Sequence, residues 1–302
     1  MKKVLITGAT GFLGKNLVER LQDEYRVIGV GSQDFDLRSQ FDVEVMLSSY
    51  RPDVVIHAAG SVGGIGANKA NPGKFMYDNL IMGTNIIEEA RQQGVSKFVM
   101  LGTVCSYPKI TRVPFKEEDI WLGYPEETNA PYGIAKKTLM KLLEAYNSQY
   151  DMNVANLIPV NMYGPYDHFN LISSHVIPAL ILKIHKARNT QEPITVWGTG
   201  KASREFLYVK DCVDAIAKAI EIDVPPEPIN IGTGNEIRIS DLVEIIAKEL
   251  GFRGEVIYDS SKPDGQPRRC LDTNRARNLL GFEAQVSLKD GIKETIDWYL
   301  GI

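Results

Sequence analysis

Lys3-Val4-Leu5-Ile6-Thr7-Gly8-Ala9-Thr10-Gly11-Phe12-Leu13-Gly14 decides the fold. A short run suited to a buried strand passes directly into glycines spaced GxxGxxG, and a helical apolar pattern opens at Phe12. Glycines permit a tight turn and let backbone approach a pyrophosphate, whose charge is stabilised by unpaired amides and the positive end of the helix dipole. Gly14 would let the helix pack close to the sheet. A purely structural strand-to-helix turn is the plainer reading. Strand, loop and helix in register favour a dinucleotide held by Gly8, Thr10, Gly11, Phe12, Leu13 and Gly14.

Outward from this loop, strands are expected at Lys3–Thr7, Tyr25–Val30, Asp53–His57, Lys97–Leu101 and Asn153–Ile158. The spacing between them accommodates right-handed helical crossovers. Phe12–Asp23, Phe75–Gln93 and Tyr132–Tyr150 carry apolar residues at three- and four-residue intervals, as helices packed on a sheet do. Beyond Asn161 the texture changes, with Gly164-Pro165, Pro178, Pro193, Gly198 and Gly200 punctuating shorter elements. Helices are expected at Asp211–Ile220, Ile239–Leu250 and Ser287–Tyr299, the last capped by Ser287 and burying Trp298. The pattern predicts an α/β fold: a Rossmann-type doubly wound parallel sheet in residues 1–161, with a smaller mixed α/β substrate domain mainly in 162–302. Some later segments are expected to return to the first domain.

Composition sets limits. The 302 residues are 44% hydrophobic and 24% charged, with no apolar stretch long enough to span a membrane. The apolar run after Met1-Lys2-Lys3 is too short for a signal peptide. Cys105, Cys212 and Cys270 lie far apart, against a disulfide framework or a zinc site, so a reducing cytoplasm is expected. A formal charge of −4 supplies no global field for nucleic acid or anionic lipid. Neither partner is expected, and a phosphorylated ligand must be held locally.

NAD sites usually offer a carboxylate to the adenosine ribose about 20 residues after the glycine loop. Here the second strand ends Val30-Gly31-Ser32-Gln33. Without a carboxylate at that tip, NADP(H) is favoured, but no arginine stands there and NAD(H) stays open. Asp34 or Asp36 could reach the ribose if the loop bends back, Asp36-Leu37 is expected along the adenine, and Asp53 reads as a strand-entry residue.

Tyr132-Gly133-Ile134-Ala135-Lys136 sets a phenol and an ammonium one turn apart on one helix face. A lysine charge beside the tyrosine should lower the phenol pKa, so that it exchanges a proton with a carbonyl or hydroxyl. About 30 residues upstream, the fourth expected strand ends Leu101-Gly102-Thr103-Val104-Cys105. This presents the Thr103 hydroxyl where doubly wound folds bind ligands. On the residues alone, Cys105 reads as a small buried strand-end residue, and His175 as a residue that caps or packs the helix near Pro178.

With these residues in hand, the chain resembles the extended short-chain dehydrogenase/reductases. His57-Ala58-Ala59-Gly60 and Asn79 match that superfamily's pattern. Five segments are similar to the GDP-L-fucose synthase family: Val62-Gly63-Gly64-Ile65, Gly102–Lys109, Asn161-Met162-Tyr163-Gly164-Pro165, Ser174–Leu180 and Val196-Trp197-Gly198-Thr199-Gly200. The resemblance implies C3 and C5 epimerisation of a GDP-4-keto-6-deoxy-hexose, followed by NADPH-dependent reduction of the C4 ketone. It implies a reductive triad of Thr103, Tyr132 and Lys136, with threonine where that family often has serine, and an epimerisation pair of Cys105 and His175. Cofactor contacts are implied for Ser32, Asp36, Leu37, Ala58, Ala59, Asn79, Tyr132, Lys136, Pro159 and Met162. Substrate contacts are implied for Asn161, Val176, Lys183, Trp197, Arg204 and Asp264, with Lys183 and Arg204 on the diphosphate. No metal is expected. A homodimer through the two long helices follows from the superfamily. An epimerase without net redox change and a non-catalytic NAD(P)-binding scaffold are the competing readings.

Overall fold

A computed structural model describes residues 1–171, 174–262 and 264–302. Aliphatic and β-branched runs form the strands β1 (Lys3–Thr7), β2 (Arg26–Val30), β3 (Val54–His57), β4 (Lys97–Leu101) and β5 (Val154–Pro159). These are followed by β6 (Asn161–Tyr163), β7 (Ile194–Trp197), β8 (Ser203–Tyr208), β9 (Ile229–Ile231), β10 (Glu236–Arg238) and β11 (Val256–Asp259). The helices are α1 (Phe12–Leu21), α2 (Gln40–Tyr50), α3 (Ile65–Ala70), α4 (Pro72–Gln92) and α5 (Ala130–Tyr150). Then come α6 (Val176–Ala187), α7 (Val209–Glu221), α8 (Ile239–Glu249), α9 (Asn274–Leu280) and α10 (Leu288–Leu300).

Among the described residues the main sheet has the order β2-β1-β3-β4-β5-β9, and every pair is parallel. Its inner strands are buried on both faces, as such sheets require, while the edge strand β2 is partly exposed. Val4 and Ile6 join one apolar layer with Leu13, Leu17 and Leu21 of α1 and Val213, Ile216 and Ile220 of α7. Leu5 points the other way, toward Met46 and Leu47 of α2, Ile86 and Ile87 of α4, and Leu139 and Leu143 of α5. Each fully buried aliphatic side chain contributes about 2 kcal/mol. The chain steps from β1 to β2 on one side and to β3 on the other, which opens a crevice at the carboxyl ends of these strands.

The rest of the chain builds two small sheets, β10-β8-β6 and β11-β7, around a third apolar cluster with α6, α8 and α10. Buried Glu205 joins the parts. Its Oε1 accepts from the amides of Thr233 (2.5 Å) and Gly234 (2.8 Å), and its Oε2 from Leu271 (2.6 Å). Its own amide donates to the Arg269 carbonyl at 3.0 Å. Phe115 pairs with Leu271 in an isolated bridge, so residues 266–272 run as a strap between β8 and Phe115.

The five expected parallel strands are present, and β9 adds a sixth that was too short to recognise. Helices α2, α3 and α9 are additional, and the helix expected beside Pro178 is α6. Ser287 caps α10 by accepting from the Asp290 amide at 3.2 Å. Trp298 departs from expectation: it is 40% exposed and lies against Tyr166 and Phe169 rather than in the core. Asp53 is the strand-entry residue, accepting from the Lys3 amide at 2.7 Å. Among the described residues no helix is long and apolar enough to cross a membrane.

Candidate active site

The glycine loop closes on itself before α1 begins. The Gly11 amide donates to the Gly8 carbonyl at 3.0 Å, and a Cβ at Gly14 would overlap that same carbonyl, so only glycine lets the first turn sit against the loop. The α1 N-cap, Gly11, offers no side-chain acceptor. The amides of Phe12 and Leu13 therefore have no hydrogen-bond acceptor among the described residues and point out of the helix terminus. Thr10 is exposed beside them, while Leu13 is buried in the sheet layer. These free donors fit a pyrophosphate.

At the tip of β2, Ser32 is exposed. Two carboxylates expected near the ribose are engaged internally. Asp34 accepts from the Gly31 amide at 2.7 Å, and Asp36 is gripped by Arg38, which holds its pKa down to about 2. Arg38 also faces buried Asp78 at 3.6 Å. Leu37 is buried, and its carbonyl accepts from Asn85 at 3.0 Å. After β3, Ala58 and Ala59 line the loop held by buried Asn79, which donates to the Ser61 carbonyl (2.8 Å) and accepts its amide (3.2 Å).

The centre of the crevice is formed by β4 and α5. Thr103 lies two residues beyond β4 and accepts from the Cys105 amide at 3.2 Å, capping the 3-10 turn Val104–Ser106. This turn seats directly on α5: the Ser106 hydroxyl donates to the Gly133 carbonyl at 2.9 Å, and a Cβ on Gly133 would overlap the Cys105 carbonyl. The contact brings Thr103 and Cys105 to Tyr132. Burial raises the Tyr132 pKa, the Cys105 charge raises it further, and a hydrogen bond with Thr103 lowers it. This corrects the expectation that Lys136 depresses the phenol, because the two groups face different neighbours. Lys136 is 3% exposed, and burial lowers its pKa to about 8. Its ammonium lies toward Gly60, 3.8 Å from where a Cβ would stand, on the side of Asn79.

His175 arrives from the second region as the N-cap residue of α6 and makes no side-chain capping bond. Burial lowers the pKa of its ring, although the residue as a whole is exposed, and His168 lowers it further. Among the described residues no hydrogen bond joins His175 to Cys105 or Tyr132. Pro159 ends β5 in the core, Met162 is half-buried in β6, and Val176 is exposed. Asn161 donates to the Glu205 carbonyl at 3.0 Å.

Arg204 donates to the carbonyls of Ser203 (2.6 Å) and Asp264 (2.8 Å). Burial, then the nearby Arg269 charge, lowers its pKa to about 10. A half-buried cation bonded only to carbonyls suits a phosphate. Lys183 donates to the Thr195 carbonyl at 2.5 Å, with its pKa lowered by burial. Asp264 accepts from the Thr199 amide (2.7 Å) and hydroxyl (2.8 Å), so its carboxylate fastens the loop that carries Arg204's acceptor. Trp197 is 60% exposed with Lys262 over its ring at 5.8 Å, which excludes a core role.

Sequence reasoning missed Gly133, Glu205, Gln266 and Arg269. Gly133 carried a signal, a helix-weakening glycine directly after the tyrosine. The other three act through contacts distant in sequence.

A profile of the NAD dependent epimerase/dehydratase family matches residues 4–232. GDP-L-fucose synthase of Sinorhizobium fredii is 40% identical over 301 residues, 99% of this chain and 96% of that protein. The crystal structure of a GDP-6-OMe-4-keto-L-xylo-heptose reductase from Campylobacter jejuni superposes with a TM-score of 0.94 at 30% identity, covering 99% of this chain and 98% of that one. A GDP-L-fucose synthetase from Naegleria fowleri bound to NADP gives 0.90 at 29% identity, covering 99% and 94%.

Proposed function

The chain belongs to the NAD dependent epimerase/dehydratase family, and we infer that it is an NADP(H)-dependent epimerase-reductase acting on a GDP-4-keto-6-deoxy sugar, like the GDP-L-fucose synthases it resembles. The observation that carries the residue assignment is the packing of the Thr103–Cys105 turn onto α5 at Gly133, which gathers a thiol, a hydroxyl and a phenol at one point of the sheet edge.

The free amides of Phe12 and Leu13 would hold the dinucleotide pyrophosphate, with Lys136 and the loop fastened by Asn79 beside its nicotinamide ribose. When bound, the nicotinamide supplies a hydride to C4. The remaining chemistry falls to side chains. A 4-ketone acidifies the protons on C3 and C5 because the electron pair released with each can move onto the ketone oxygen. Of Cys105 and His175, one removes the proton and the other returns one on the opposite face. His175 suits the exchange because its lowered pKa leaves the imidazole free to accept a proton and, once protonated, quick to give it up. Tyr132, held protonated by its buried setting, then gives its proton to the C4 oxygen as the hydride arrives, and Thr103 orients that oxygen. Arg204 and Lys183 bind the diphosphate, with Asn161, Trp197, Asp264 and Val176 around the nucleotide and sugar.

Incubation with GDP-4-keto-6-deoxy-mannose and NADPH tests the reading: one equivalent of NADPH is consumed and the product is inverted at C3 and C5. The likeness to the heptose reductase favours a second substrate, a GDP-linked keto-heptose, in the same site. Turnover of the deoxysugar without net consumption of nicotinamide would overturn the reductase assignment.

A further inference from the structure

We infer that Arg269 is a positioning residue for Cys105, pairing its guanidinium with the sulfur that removes a proton from the sugar. Arg269 Nη1 lies 3.9 Å from Cys105 Sγ, within reach of a charge-assisted N–H···S bond. The other edge of the guanidinium is fixed: Nε and Nη2 donate to Gln266 Oε1 at 3.1 and 2.7 Å. Gln266 is buried, and its amide donates to the carbonyls of Lys109 (2.8 Å) and Pro108 (3.4 Å), in the segment that continues from Cys105. The Arg269 carbonyl is tied to the Glu205 amide. Strap and thiol loop are therefore locked to each other, and the guanidinium nitrogen with no protein oxygen as acceptor, Nη1, is the one that faces sulfur. Among the described residues Arg269 has no carboxylate within ion-pair distance, so its charge is not neutralised locally.

A fixed cation beside a thiol favours the thiolate, the species that accepts protons. The inference rests on Cys105 acting at C3 or C5 as proposed above. In that step the C–H bond breaks, its electron pair moves to the C4 oxygen, and the proton forms an S–H bond on Cys105. His175, having taken a proton from solvent, then delivers it to carbon on the other face as the electron pair returns from the C4 oxygen, and the thiol proton is lost to solvent to restore the pair.

The test uses the full chain and two readouts. The first is the rate at which iodoacetamide alkylates Cys105 at pH 7, mapped by mass spectrometry. Cys212 and Cys270 are buried and do not compete. The second is solvent deuterium entering C3 and C5 of GDP-4-keto-6-deoxy-mannose without added reductant. Arg269→Gln should slow alkylation about 10-fold and lower kcat for exchange by a similar factor with KM little changed, while Arg269→Lys keeps most of both. Should Arg269→Gln fail to fold, Gln266→Ala, which frees the guanidinium but keeps its charge, must show the same slowing. Unchanged alkylation, or a rise in KM alone, would overturn the inference and make Arg269 a phosphate ligand. Full exchange by Cys105→Ser would instead sink the proposed role of the thiol, and the alkylation result would still stand.

Discussion

Gly133 and Cys105 touch backbone to backbone, the α-carbon of the glycine lying under the carbonyl of the cysteine with no room for a methyl group between them. A reactive turn is thereby set against the helix that carries the phenol and the ammonium. Its position depends on one missing side chain.

Gly133→Ala therefore drives the 3-10 turn away from α5. Alanine favours helix, so a rise in stability is the outcome expected from propensity alone. Overlap with backbone reverses this, costing about 1–3 kcal/mol. Because an ångström of misplacement costs on the order of 100-fold in rate, kcat should fall far more than stability. Urea unfolding and steady-state kinetics on the same preparation check both.

Tyr132→Phe and Cys105→Ser should separate the two halves of the reaction. The first removes the proton donor for the C4 oxygen, so NADPH consumption falls by about 100-fold or more while solvent deuterium still enters C3 and C5. The second suppresses deuterium entry. Mass spectrometry of recovered sugar nucleotide reads the difference, and normal reduction by Tyr132→Phe would remove the phenol from the mechanism.

Lys136 is held at a cost. Its folded pKa of about 8 lies below the lysine value of 10.5, so between these limits the unfolded chain binds more protons and stability rises with pH. Below pH 8 the buried ammonium carries the full penalty, on the order of 3 kcal/mol. Lys136→Met should raise the Tm of the ligand-free protein at pH 7, and the gain should shrink as pH rises from 8 toward 10.5. Reduction should drop about 100-fold. A Tm lowered at pH 7 would show that the ammonium is already compensated.

Arg204→Ala removes a cation whose present partners are carbonyls alone. Loss of a charge-assisted phosphate bond of about 1.5–3 kcal/mol predicts KM for the sugar nucleotide raised roughly 10- to 100-fold, with a smaller change in kcat. Equal losses in kcat and kcat/KM would place the arginine at the reacting centre instead.

The parts of the molecule legible in the sequence are those whose causes are local. Lys3–Gly14 announces strand, turn and helix because turn geometry and hydrophobic period are written in neighbouring residues, and Tyr132 and Lys136 are one helical turn apart. What was not legible depends on distant partners. Lys136 was expected to act on the phenol, but the fold turns its ammonium toward Gly60. Asp34 and Asp36 looked free for a ribose, yet Gly31 and Arg38 engage them. Trp298 carried the period of a core residue, but it rests on Tyr166 and Phe169, which are themselves only half-buried. Glu205, the carboxylate that joins three segments, sits in a strand where nothing local marks it.

Strand β9 comes from residues 229–231, yet it completes the sheet begun at Lys3. A polypeptide emerging from the ribosome must wait for those three residues before β5 gains its outer neighbour. Until then Leu157, Ile158 and Pro159 present a bare apolar margin to other chains. Shortening the protein to its glycine-loop half would make that interval permanent and give self-association in place of a usable nucleotide-binding fragment.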